Sequence, residues 1–172
     1  MDNYFVTPIA DRFFEDYPVG LVAEYGTIQV SAADIIAFAE AFDPHQMHTN
    51  EAAALAGPFG GLIASGWHTT ALMMRLMVDN FLNERTSLGS PGVDELRFRL
   101  PVRAGDTLHA RFTVVAARAS VSKPDRGLLH TRIELFNQSD ELVMSQTMLN
   151  LVQRRAAGVP SAPTGDELAA AV

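Results

Sequence analysis

The apolar residues of this chain change their spacing halfway along it, and few folds accommodate that change. Between Ile63 and Leu82, residues such as Ala64, Trp67, Ala71, Met74, Leu76, Met77 and Phe81 surround a helix nearly completely. A helix apolar on most faces is buried rather than laid on a surface. About 16–18 residues at 1.5 Å each make it roughly 25 Å long. Beyond residue 95 the period becomes two. Leu96, Phe98 and Leu100 alternate with Arg97 and Arg99. Leu108, Ala110, Phe112 and Val114 alternate with His109, Arg111 and Thr113, and Leu129, Thr131, Ile133 and Leu135 alternate with His130, Arg132 and Glu134. Residues 142–152 read as a fourth long strand. Pro101 with Gly105-Asp106, Lys123-Pro124-Asp125-Arg126-Gly127 and Asn137-Gln138-Ser139-Asp140 supply the turns. Such strands form an antiparallel sheet with one buried face, and the helix supplies its cover. The fold class that follows is α+β, a long central helix wrapped by a curved antiparallel sheet.

The first half adds shorter elements. Residues 25–30 read as a strand. Ser31 then caps a helix with Asp34 near its start, and Ile35, Phe38, Ala39 and Phe42 fall on one stripe. That helix stops at Asp43-Pro44, because proline disfavours helical geometry in the residue before it. A short helix over 50–56 ends at Gly57-Pro58. A chain of 172 residues predicts one domain. Its compact part is 13–155, with a loose N-terminal arm over 1–12 and a flexible Ala/Gly/Pro-containing tail over 156–172.

Composition removes several classes of function. The absence of cysteine excludes disulfides, thiolate zinc sites and cysteine nucleophiles. A net charge of −7 argues against a nucleic-acid partner. The charge is uneven: residues 1–96 hold 3 basic and 13 acidic side chains, residues 97–155 hold 10 basic and 5 acidic. Lys123 is the only lysine, and arginine suits planar recognition of phosphate or carboxylate. Arginines on the solvent face of strands account for the same pattern. No apolar run reaches the roughly 18 residues of a membrane span, since Arg75 and Asp79 interrupt the longest one. The first 20 residues lack a secretory core. The expectation is a cytoplasmic protein with no membrane partner.

Two segments carry polar groups suited to chemistry. In Asp43-Pro44-His45-Gln46-Met47-His48 a carboxylate and an imidazole stand five residues apart between two helices. Such a pair can hold one water and divide the proton work. The same residues also serve as ordinary turn formers, and spacing alone does not choose. Asp43, His45 and His48 are a weak metal pattern, and no metal is expected. Then Pro58-Phe59-Gly60-Gly61-Leu62-Ile63-Ala64-Ser65-Gly66-Trp67-His68 runs glycine-rich backbone into the start of the buried helix. Its free N–H groups can hold a developing oxyanion, or the segment is a tight turn with Ser65 as cap. Ser65-Gly66 is not set in the Gly-x-Ser-x-Gly elbow of serine hydrolases. His68 is expected to be a helix residue satisfied by a local partner.

These two segments, with Phe14-Glu15-Asp16-Tyr17-Pro18-Val19-Gly20 and Leu100-Pro101-Val102-Arg103-Ala104-Gly105-Asp106-Thr107-Leu108, resemble the MaoC-like dehydratases, hot-dog-fold relatives of the (R)-specific enoyl-CoA hydratases. The resemblance covers about 13–153. It implies a hot-dog fold and a homodimer or higher homo-oligomer whose active site forms where two subunits meet. It implies hydration or dehydration across the α,β double bond of an acyl-CoA thioester, with no cofactor beyond the CoA of the substrate. Asp43 and His48 fall on the catalytic pair, and Gly66 on the glycine whose N–H binds the thioester oxygen. His45, Phe59 and Trp67 are further substrate-binding candidates. His45 and Gln46 replace the Asn and Pro of the family's motif, and Met74 stands where relatives carry a serine. Arg97, Arg99, Arg103 and Arg126 are candidates for the CoA phosphates. Two alternatives remain open: an acyl-CoA thioesterase on the same fold, which does not require His48, and a non-catalytic acyl-CoA-binding protein.

Overall fold

The computed structural model describes residues 5–156. The sheet is built from β1 (Val22–Gln29), β2 (Gly92–Phe98), β3 (Thr107–Ala119), β4 (Arg126–Phe136) and β5 (Leu142–Gln153). All neighbours pair antiparallel, in the order β1-β3-β4-β5-β2. The alternation in the second half therefore becomes real strands, and Leu108, Phe112, Leu129, Ile133 and Leu135 turn their side chains into the core. The helices are α1 (Ala32–Phe42), α2 (Gln46–Thr49), α3 (Glu51–Ala56) and α4 (Gly66–Asn80). Met73, Leu76 and Met77 of α4 are buried against the sheet. This is the expected hot-dog arrangement, a central helix in a curved antiparallel sheet.

Three local features place the site. Ser31 caps α1 by accepting from the Asp34 N–H, and Asn50 caps α3 by accepting from Ala53. α4 is shorter than its apolar run, because Ile63 leaves the helix to bridge Arg103 and Ser65 takes the cap position. At Gly26, where φ is +94°, a side chain would strike Leu76. Glycine there lets β1 cross close to α4.

The N-terminal arm, expected to be loose over 1–12, lies against the domain in its described part. The Arg12 guanidinium donates to the carbonyls of Thr7, Asn80 and Phe81 and sits 3.6 Å over the Phe5 ring. Phe5 packs edge-on against Tyr17 and Phe81. This contact has no periodicity to betray it, because side chain to backbone bonds hold it rather than an apolar stripe. The expected tail lies outside the described residues beyond 156. No described helix is long and apolar enough to cross a membrane.

Candidate active site

Proline at 44 ends α1, so Asp43 becomes the residue after its last turn, with φ −151° and ψ 66°. Its carboxylate leaves the helix axis and reaches the start of α4. Ser65 Oγ donates to Asp43 Oδ2 at 2.6 Å, while His45 Nδ1 meets Asp43 Oδ1 at 2.5 Å. Hydrogen bonds from Ser65 and then His45, with smaller help from the nearby imidazole of His48, hold the carboxyl below the usual carboxylate range. Asp43 is thereby kept ionised.

His48 is brought in by α2 and is 7% exposed. Its Nδ1 lies 2.8 Å from the Ile63 carbonyl oxygen. A carbonyl only accepts, so Nδ1 carries a proton, and in the uncharged form of the ring the lone pair is on Nε2. That nitrogen lies 3.6 Å from Asp43 Oδ2, too long for a direct hydrogen bond. Two acceptors thus face one another across a small gap. A water beside the gap can donate one O–H to each.

Gly66 opens α4, and the N–H groups of a first turn have no partner inside the helix. A Cβ at Gly66 would fall 2.5 Å from the Phe98 ring. Glycine is required there because the ring closes over the backbone. An open cleft of about 360 Å³ runs past this point, with Met47, His48, Phe59, Ile63, Gly66 and Phe98 in its walls, and the 99–102 segment completing it.

The structure brings Asp43, His45, His48, Phe59 and Gly66 to one end of α4 and leaves Trp67 out. The Trp67 side chain is 64% exposed and lines no part of the cleft. One residue along a helix turns the side chain by about 100°, so a neighbour of Gly66 points elsewhere. Arg99 lines the cleft. Arg103 Nη2 donates to the Phe59 carbonyl at its edge. Arg126 pairs with Asp125 through two bonds instead. Met74 is half-buried against the core. His68 departs from the expected local partner: it stacks on Phe38 at 4.8 Å, its Nδ1 has no hydrogen-bond partner among the described residues, and burial pushes its pKa down against the pull of Asp34. In the sequence Ser65 reads as a helix cap, outside any hydrolase elbow. Its bond to Asp43 spans 22 residues and has no local signal. Among the described residues no group of three or more His, Asp or Glu side chains is placed to hold a metal.

Residues 19–131 match the MaoC like domain family. The chain is 35% identical over 107 residues to the 3-hydroxybutyryl-CoA dehydratase of Methylorubrum extorquens, covering 59% of this chain and 63% of that one. Among solved structures it resembles a MaoC-like dehydratase from Rhodospirillum rubrum, with TM-score 0.78, 41% identity and coverage of 84% and 99% of the two chains. It also resembles the R-hydratase PhaJ1 of Pseudomonas aeruginosa, with TM-score 0.65, 26% identity and coverage of 89% and 96%.

Proposed function

The chain belongs to the MaoC-like domain family, and from that premise we propose that it hydrates, or in reverse dehydrates, the α,β double bond of an acyl-CoA thioester with Asp43 and His48 as its acid–base pair. The observation that carries this reading is the pair of facing acceptors, Asp43 Oδ2 and His48 Nε2, of which His48 lines the cleft. The pair takes a proton from the held water as its oxygen bonds to the β carbon. The displaced π electrons move to the thioester oxygen, where the N–H of Gly66 stabilises the enolate-like charge. The pair returns a proton to the α carbon, so H and OH add across the bond with no net change in the enzyme. Arg99 and Arg103, at the cleft and its edge, take the CoA phosphates. His45 stands in for the asparagine of the family's motif by bonding Asp43.

We further infer a homodimer through β2. Among the described residues it is an edge strand, paired only with β5, and edges with free backbone groups invite pairing. Val93, Phe98 and Leu100 are 43%, 50% and 43% exposed along or just after it. Phe98 and Leu100 also line the cleft, so a second subunit on this edge would close the same site.

The test uses crotonyl-CoA in the presence of a thiol reagent. Loss of the enoyl absorbance without thiol release is the expected result. Thiol release would assign hydrolysis instead, and neither signal across a series of acyl lengths would assign binding alone.

A further inference from the structure

Ser65 is bonded in two directions. Its Oγ accepts from the Trp67 N–H at 3.2 Å, which caps α4, and donates to Asp43 Oδ2 at 2.6 Å. The residue is 1% exposed, so no bulk water replaces either bond. Its neighbour in the chain is Gly66, the first residue of α4 and part of the cleft lining. One buried hydroxyl therefore ties the carboxylate to the helix end that carries the oxyanion donors.

We propose that Ser65 is a positioning residue: its hydroxyl fixes which oxygen of Asp43 faces His48 and sets the distance from the water-holding pair to the Gly66 N–H. The proposal deepens the hydratase reading and rests on it for its kinetic consequence. The geometry gives the reason. Asp43 Oδ2 is shared between the Ser65 hydroxyl and the gap to His48, while Oδ1 is occupied by His45. Without the Ser65 bond the carboxylate turns freely about the His45 contact, and Oδ2 no longer holds its place opposite Nε2. A misplacement of about 1 Å between reacting groups costs on the order of 100-fold. The titratable groups facing the carboxylate are His45 and His48, both from the segment at the start of α2. Both remain when Ser65 is replaced.

Ser65 also holds a helix cap, so loss of the hydroxyl has a structural effect that must be separated. Ser65→Ala removes both bonds. Ser65→Gly removes the hydroxyl but keeps most of the cap's contribution, because glycine is tolerated at that position. Ser65→Thr restores a hydroxyl. The experiment measures crotonyl-CoA hydration against pH for the four proteins and follows the Asp43 carboxyl carbon by NMR titration. In Ser65→Ala and Ser65→Gly, kcat is expected to fall about 10- to 100-fold with KM little changed. The acidic limb of the rate and the Asp43 titration are both expected to move to higher pH, because a hydrogen bond that lowered the carboxyl has gone. Ser65→Thr is expected to recover both. An unmoved Asp43 titration in Ser65→Gly overturns the proposal, as does a loss of kcat that follows thermal stability rather than the hydroxyl. If the wild-type protein hydrates no enoyl thioester, the functional reading falls, and the NMR titration alone then decides whether Ser65 holds the carboxylate.

Discussion

At its C-terminal end α4 gives its last carbonyls to side chains: Arg12 donates to Asn80 and Phe81, and Tyr17 OH donates to Phe81 at 2.8 Å. Phe5, Tyr17, Phe81 and Phe112 pack around that end with ring centroids 4.9 to 5.4 Å apart. At its N-terminal end the same helix is capped by one serine and looks into a cleft. The closed end is held by aromatic packing and by side chains that bond the carbonyls of Asn80 and Phe81. The open end keeps a carboxylate and an imidazole facing one another without a direct hydrogen bond between them. A helix anchored firmly at one end can present the other in fixed geometry, which is what positioned chemistry requires.

The comparison breaks if mutations at the two ends have the same consequence. Phe81→Ala, at a fully buried ring, is expected to lower stability by about 3–5 kcal/mol, while activity per folded molecule stays close to wild type; denaturant titration and a rate normalised to folded protein read the two. At the open end the effects reverse. Asp43→Asn and His48→Ala should each lower turnover roughly 100-fold or more, with a melting temperature near that of the parent. Wild-type turnover in both variants would take the pair out of the mechanism. The smallest effect sharpens the contrast. Tyr17→Phe loses one hydrogen bond at the closed end and is expected to cost about 1 kcal/mol at neutral pH. Burial pushes the Tyr17 hydroxyl up to about 12 from its ordinary 10. The unfolded chain therefore releases that proton first, and the stability held below pH 10 is lost as pH rises toward 12. Tyr17→Phe should flatten this alkaline loss, measurable as a shallower fall of unfolding free energy between those values.

The two ends also differed in how far the sequence revealed them. The apolar period of α4 and the alternation of β3, β4 and β5 are local patterns, so the layers and the buried faces could be read directly. Asp43, His48 and Gly66 stand in short segments with a recognisable order. What could not be read is what joins distant segments through single atoms. Arg12 reaches carbonyls 68 and 69 residues away, and Ser65 reaches back 22. Neither contact leaves a period or a motif. Trp67 follows Gly66 in the chain, but helical rotation turns its side chain out to 64% exposure, away from the cleft. β2 begins at Gly92, ahead of the visible alternation, because its ladder slips between Asp94 and Arg97 and so hides the early part of the pattern.

The acceptor that fixes the His48 ring is the peptide oxygen of residue 63, and the same residue lines the cleft. Every amino acid brings that oxygen with it. A substitution at this position can therefore reshape the pocket without rewriting the His48 tautomer on which the proposed proton transfer rests. Selectivity and chemistry share one residue yet are inherited separately.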